Sequence, residues 1–219
     1  MYFENVKLPS YTKGEEIFNS VSHGIGIIFG LLSFITLFLK ATETGTKLGA
    51  VIFGVSMMIL YSSSTIYHAI KPSYAKKIMR VVDHAVIYLL IAGTSIPIMI
   101  VGILPYNKPF AVTMIALSIL IGTVGTVLTY IDQEKFKVVQ TVLYMVLGWM
   151  CLAMIYPLYK YCENSVRLIV AIVLGGAVYT VGTTFLALGK KKKYFHSIFH
   201  IFVLAGSLIH FIGLYFWLY

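Results

Sequence analysis

The chain has 219 residues, of which 59% are hydrophobic and 11% are charged, and its mean hydropathy is +0.88. A soluble domain of this size exposes far more charge, so the composition excludes an ordinary soluble fold. The formal net charge is +9, and in a soluble protein this surplus would point to nucleic acid. Here the lysines lie in the connections between apolar runs, so membrane lipid is the expected partner and nucleic acid is not.

Apolar runs of about 20 residues follow one another along the chain, and this is the length that a helix needs to cross a bilayer. Helices are expected because hydrocarbon offers no partner for free backbone groups. The runs lie at 17–39, 46–70, 80–103, 109–131, 138–159, 166–188 and 195–218. They predict an all-α integral membrane protein in which residues 17–219 form a seven-transmembrane helix bundle after a polar tail at residues 1–16.

Positive charge is divided unequally between the two sides of this predicted bundle. The tail and the connections after the second, fourth and sixth runs carry 12 Lys or Arg, whereas the other connections carry 5. The positive-inside rule therefore predicts a cytoplasmic N-terminus and an outside C-terminus in the cell membrane. A G-protein-coupled receptor has the reverse orientation, so seven spans do not by themselves indicate that class.

Small residues and prolines in the runs have structural explanations. The stretches GIGIIFG at 24–30 and LGGAVYTVG at 174–182 predict close helix packing, because small residues let membrane helices approach each other. Pro97 and Pro157 lie inside predicted spans and are expected to kink them locally. None of these features needs a chemical role.

Ionisable side chains at membrane depth are costly, and each one is therefore a functional candidate. His68 ends the second run, Asp83 begins the third, and His196 and His200 begin the seventh. These positions fall within a turn or two of one membrane interface, so three helices bring three imidazoles and a carboxylate to one level. His196 and His200 are four residues apart and project from one helix face.

Three histidines without a cysteine predict a zinc ion with an open fourth position, which is typical of catalytic zinc. That position holds a water whose pKa the metal lowers towards about 7. Asp83 is the candidate base for this water. An isolated HxxxH pair is weak, and Ser197 stands where the HExxH motif has its glutamate, so the base must come from another helix. The common depth of His68 and Asp83 favours the metal site over packing histidines.

Ser64 precedes His68 by one turn and shares its helix face. Its hydroxyl either bonds the carbonyl four residues back or donates to the metal-bound water or a substrate carbonyl. His84 follows Asp83 but points about 100° away on a helix. His210 lies about 15 Å beyond His200 and is not expected to reach the same ion.

Glu16, Asn19 and His23 line one face at the start of the first run. They are expected either to support the histidine ligands by fixing their tautomers or to form a polar seam between helices. The supporting role is the favoured one, and direct ligation is not predicted.

Four stretches together resemble the bacterial hemolysin III proteins, which belong with the progestin and adipoQ receptor family that includes the adiponectin receptors. The stretches are NSVSHGIG at 19–26, SSSTIYHAI at 62–70, DHAVIYLLIAGTSIP at 83–97 and HSIFHIFVLAGSLIHF at 196–211. The resemblance implies zinc held by His68, His196 and His200. It also implies that Asp83 bonds the zinc-bound water and that Ser64 is the serine one turn before the first ligand.

Three functions follow as hypotheses. The wider superfamily contains the alkaline ceramidases, which implies metal-dependent hydrolysis of a lipid amide or ester within the membrane. The bacterial branch takes its name from cytolysis attributed to pore formation, although long, uniformly apolar spans do not suit a secreted toxin. The third hypothesis is a sensor or regulator of membrane lipid composition in which the zinc is structural. The sequence specifies neither the substrate nor the oligomeric state.

Overall fold

The computed structural model describes residues 2–189 and 192–219, and every regular element in these two ranges is helical. A short 3₁₀ helix at Tyr2–Asn5 precedes seven long helices. They are α1 (Lys13–Lys40), α2 (Thr44–Ala69), α3 (Tyr74–Ile103), α4 (Lys108–Asp132), α5 (Lys137–Tyr161), α6 (Ser165–Leu188) and α7 (Phe195–Trp217). Each is long and apolar enough to cross a membrane, which confirms the predicted spans and a multi-pass membrane protein.

Short connections make successive helices antiparallel, so the odd-numbered helices begin at the same end of the bundle. We call this end, where α1 begins, the amino end. The charge count used for orientation includes Lys190 and Lys191, which lie outside the described residues.

Capping side chains start two helices earlier than hydropathy indicates. The Thr12 hydroxyl accepts from the backbone N–H of Glu15, whose carboxylate accepts from Thr12 N–H at 2.8 Å, and this capping box starts α1 at residue 13 instead of 17. Ser73 caps α3 in the same way, so that helix begins at residue 74 instead of 80. The added turns carry charged residues, which lower the hydropathy of the window and hide the helix start.

Two helices depart from regular geometry. In α3 the α-helix ends at Ile98, just after Pro97, and continues as a π turn at Met99–Ile103 that is closed by Leu104 N–H donating to Met99 O at 2.8 Å. Helix α5 is interrupted at Met150 and continues as a second segment that contains Pro157. Both irregularities lie inside membrane-length helices.

Helices α2 and α3 form the centre of the bundle. In their most apolar stretches 56% of the residues are buried, against 22% in α4 and α5. On the α1 side, Gly26 faces the ring of Tyr61 and Gly30 faces the side chain of Met57. These glycines provide the close packing predicted for the first glycine-rich stretch, and they bring the first half of α1 against the second half of α2.

Candidate metal centre

The three predicted histidine ligands meet at the amino end of the bundle. His68 comes from the last turn of α2, and His196 and His200 come from the first two turns of α7. Nε2 of His196 lies 3.3 Å from Nε2 of His68 and 3.1 Å from Nε2 of His200. All three residues are buried, and one ligand atom from each lies within 4.8 Å of the others. This group could hold a metal ion.

The hydrogen-bonding chemistry of this group fits a cation. Oε2 of Glu16 lies 2.6 Å from Nδ1 of His68, and a carboxylate only accepts, so Nδ1 carries the hydrogen and Nε2 presents a lone pair. Nε2 of His196 makes both short contacts. A ring nitrogen carries either a hydrogen or a lone pair, so it cannot donate in one contact and accept in the other. A tetrahedral ion bound at about 2.0–2.1 Å would separate its nitrogen ligands by roughly 3.3–3.4 Å, close to the observed spacing.

Glu16 contacts the non-ligating ring nitrogen of His68 and is itself paired with Lys76. Oε1 of Glu16 accepts from the Lys76 ammonium at 2.7 Å, and the same ammonium donates to the Ile70 carbonyl at 2.9 Å. Lys76 is buried and the Glu16 side chain is 21% exposed, so this ion pair is largely shielded from solvent. A carboxylate on the non-ligating nitrogen fixes the tautomer and orientation of a metal-binding histidine. Glu16 therefore lies where a supporting residue must lie, whereas the sequence had assigned Lys76 only to a connection.

The chain before α1 folds back over the amino end of the bundle. Arg80 donates to the Lys7 carbonyl at 2.7 Å, and the ring of Tyr11 stacks on His196 with 5.1 Å between ring centroids. Burial raises the pKa of Tyr11 well above its usual range, so its hydroxyl stays protonated at neutral pH. Sequence reasoning missed Tyr11, because an isolated tyrosine in a polar tail carries no periodic signal.

One member of the ligand group, His200, lines an internal cavity of about 120 Å³. Ser64, Asp83 and His200 line this cavity at the amino end, and Ser64 interacts with Asp83 through its side chain. The structure thus brings all five predicted site residues into one region. The rest of the lining is mostly apolar, with side chains such as Leu60, Ile87, Leu90, Ile91, Ile98, Met154, Leu186, Phe199 and Val203.

A sequence profile described as haemolysin-III related matches residues 11–211. The chain belongs to the haemolysin III family. It is 36% identical over 200 residues to a hemolysin-3 homolog of Bacillus subtilis (strain 168), covering 90% of this chain and 91% of that protein. It is 34% identical over 201 residues to hemolysin-3 of Bacillus cereus, covering 90% and 89%. The resemblance stated from the sequence is thereby confirmed.

A human relative extends the family beyond bacteria. The monocyte to macrophage differentiation factor of Homo sapiens is 24% identical over 212 residues, which cover 94% of this chain and 85% of that protein. The matched region includes nearly the whole bundle. This agrees with the assignment of the haemolysin III family to the progestin and adipoQ receptor group.

Buried polar atoms of α1 lie beside the ligand group of this haemolysin III protein. The ring of His23 stacks on His200 with 3.7 Å between centroids. Among the described residues, both amide atoms of Asn19 have no hydrogen-bond partner, and both ring nitrogens of His23 and Nδ1 of His200 have none at regular hydrogen-bond geometry. Unpaired buried polar atoms are rare in native proteins and mark places where water, an ion or a ligand is bound. Asn19 and His23 thus contribute polar atoms beside His200.

The other two histidines lie outside the ligand group. Nδ1 of His84 donates to the Arg80 carbonyl at 2.8 Å and lies 3.9 Å from Oδ2 of Asp83. His210 is buried deeper in the bundle and bonds the Ile172 carbonyl. Neither belongs to the histidine group, as the helix geometry predicted, but His210 lines the same cavity as His200.

Proposed function

We propose that this haemolysin III protein is a zinc-dependent hydrolase that cleaves an amide or ester bond of a membrane lipid. One observation supports the proposal above the others: three buried imidazoles converge inside the bundle, and one of them, His200, lines an apolar cavity. A substrate whose acyl chain filled this cavity would have its polar linkage beside the ligand group. Three nitrogen ligands without cysteine suit zinc in a catalytic rather than a structural site.

In this proposal the zinc, when bound, polarises the substrate carbonyl and acidifies water. His68, His196 and His200 hold the ion, and the Glu16 carboxylate keeps His68 in the binding tautomer. Asp83 is buried on the cavity wall, where it accepts the proton of the attacking water and passes it to the leaving group. The apolar lining excludes bulk water and positions the acyl chain.

Metal analysis of the purified protein tests the first half of this proposal. We expect about one zinc per chain in the wild type and in the His84→Gln variant, because His84 lies outside the ligand group. We expect little or none in the His196→Ala/His200→Ala double variant. Equal metal content in the wild type and the double variant would show that His196 and His200 do not hold the metal.

A lipid panel tests the second half. Wild-type protein is incubated with ceramides, phospholipids and acyl esters, and released fatty acid is measured. Hydrolysis by the wild type and by His84→Gln, but not by the double variant, supports the hydrolase. No release from any lipid by zinc-loaded wild type would refute it.

The Asp83→Asn variant separates a catalytic zinc from a structural one. The amide cannot take the proton, so we expect the zinc to be retained and hydrolysis to fall by about 10²–10⁴-fold. Asp132→Asn, at the end of α4, serves as the control with unchanged turnover. A sensor in which zinc is structural would instead keep its effect on membrane lipid composition when Asp83 is replaced.

Cytolysis is a second candidate, which rests on the names of the two Bacillus relatives. Haemoglobin release from red cells by purified protein, compared with a detergent-matched blank, measures it directly. Lysis that persists in the His196→Ala/His200→Ala variant would assign it to the bundle rather than to the metal centre.

A further inference from the structure

His210 has one ring nitrogen satisfied and one without a partner. Its Nε2 lies 3.2 Å from the Ile172 carbonyl, and a carbonyl only accepts, so Nε2 carries the hydrogen. Nδ1 of the neutral ring is then an acceptor, and it has no hydrogen-bond partner within the described part of the chain. His210 is 7% exposed and lines the cavity, so bulk solvent does not supply this partner.

The polar groups around His210 are already paired with one another. The hydroxyls of Tyr61 and Tyr179 lie 2.7 Å and 2.8 Å from the Ser207 hydroxyl. Thr180 donates to the Gly176 carbonyl at 2.8 Å and accepts from Trp149 at 3.1 Å. Nδ1 of His210 therefore stands out in this part of the cavity as an acceptor that the neighbouring side chains leave unpaired.

The His210 ring is held in place by its neighbours. One face of the ring lies directly against Gly175, where a Cβ atom would approach the ring carbons to 2.7 Å. The Tyr179 ring lies 5.4 Å away on another side, measured between ring centroids. A ring fixed in this way presents its acceptor in a constant position, which is what recognition of a ligand group requires.

We propose that His210 recognises a hydroxyl group carried part-way along the acyl chain of the lipid. His210 follows His200 by ten helical residues, which places the two about 15 Å apart along α7. A lipid with its polar linkage at the histidine group would carry such a hydroxyl in the middle of its chain. The choice of substrate rests on the proposed function, whereas the hydroxyl site itself rests on His210 and the cavity.

Fatty acid binding tests this site without requiring turnover. Purified protein is titrated with stearic acid, with a stearic acid hydroxylated in mid-chain and with an α-hydroxylated one, each competing against a fluorescent fatty acid. One buried hydrogen bond gives the wild type a preference for the mid-chain hydroxyl on the order of 5-fold. The α-hydroxyl lies at the wrong depth and should give no comparable preference.

Variants assign the preference to the His210 ring. His210→Phe keeps the ring and removes both nitrogens, so the preference should disappear while stearic acid still binds. Tyr179→Phe changes the same wall but removes a hydroxyl already paired with Ser207, so the preference should remain. Gly175→Ala pushes the ring aside and should weaken the preference, whereas Gly24→Ala, which has open space at its Cβ position and lies outside the cavity, should not.

Several results would overturn this assignment. The first is equal wild-type affinity for stearic acid and its mid-chain hydroxylated form, as when a bound water already satisfies Nδ1. The second is that the wild type binds neither acid. The third is that folded His210→Phe keeps the full preference. Thermal unfolding identifies a misfolded variant, and His210→Leu, which also lacks an acceptor, then replaces it. The His196→Ala/His200→Ala variant should keep the preference without zinc or hydrolysis, so failure of the hydrolase and failure of the hydroxyl site are distinguishable.

Discussion

At the scale of single residues, Glu16 connects the candidate metal centre to a charged side chain outside it. Its two oxygens are shared between the His68 ring and the Lys76 ammonium, at 2.6 Å and 2.7 Å. Three neutral imidazoles bring no charge to a divalent ion, so the carboxylates of Glu16 and Asp83 supply the nearby negative charge. Breaking a buried ion pair leaves the remaining charge without a partner, which makes this pair sensitive to substitution.

The Glu16→Gln variant tests this arrangement. The amide keeps the shape of the side chain but loses the charge, so we expect zinc affinity to fall by about 10–100-fold. Competition against a fluorescent chelator measures the affinity. Glu163→Gln, an exposed carboxylate at the opposite end of the bundle, is the matched control. Equal affinities in the two variants would show that Glu16 does not support the metal.

The sequence predicted the histidine group because two independent signals agree. Helical spacing places His196 and His200 on one face, and the positions of basic connections place His68 at the same depth. Lys76 and Tyr11 carry no such signal: one lies in a charged turn and the other in a polar tail. Their contacts depend on how the tail folds across α2, α3 and α7, which is a tertiary property that no local pattern encodes.

At the scale of helices, the contact between α1 and α2 positions Glu16 relative to His68. The two helices approach closely where Gly26 meets the Tyr61 ring, and a Cβ atom on Gly26 would lie 2.6 Å from that ring. Tyr61 is fully buried and is hydrogen-bonded to Ser207 of α7, so it cannot move aside freely. The glycine contact therefore aligns three helices that carry residues of the metal centre.

Two neighbouring glycines provide a matched pair of variants. Gly26→Ala should destabilise the protein by about 1–3 kcal/mol, because a methyl group there overpacks the helix contact. Gly24→Ala has nothing within 4 Å of its Cβ position and should be neutral or slightly stabilising. Thermal unfolding in detergent measures both. A Gly26→Ala variant as stable as Gly24→Ala would mean that the helices can separate without cost.

Hydropathy located all the helices, but it placed their ends less well. The long apolar stretches are decisive because lipid requires them, whereas the first turns of α1 and α3 are charged and depend on the caps at Thr12 and Ser73. The interruption of α5 at Met150 was not foreseen either, since no proline or glycine lies at that residue. These features follow from individual side-chain hydrogen bonds and packing contacts, which hydropathy averaged over a window does not reveal.

At the scale of the whole molecule, the orientation in the membrane determines which compartment faces the metal centre. The amino end carries the histidine group, and the sequence assigns 12 of the basic residues to the tail and connections on this side. We infer from the positive-inside rule that this end faces the cytoplasm. If the proposed hydrolysis takes place, polar products released through the amino end would then enter the cytoplasm.

Reporter fusions at the C-terminus test the orientation. With the amino end in the cytoplasm and seven spans, alkaline phosphatase fused after Tyr219 should be exported and active, and a fused green fluorescent protein should be dark in a bacterial host. The same reporters fused after Lys135, in the connection between α4 and α5, should give the reverse pattern. Activity of phosphatase at Lys135 would invert the assignment.

The π turn at Met99–Ile103 divides α3 into a part that lines the cavity and a part that packs against α5. An extra residue in one turn rotates all later side chains by about 100° around the helix axis. Before the turn, Asp83, Ile87 and Thr94 point into the cavity; after it, Gly102 lies against Leu158. If this stretch became regular α-helix with no residue removed, the portion after it would turn by about 100° and lose its register with α5. The wide turn thus lets one unbroken helix present a cavity-lining face at the amino end and a close contact with α5 at the opposite end.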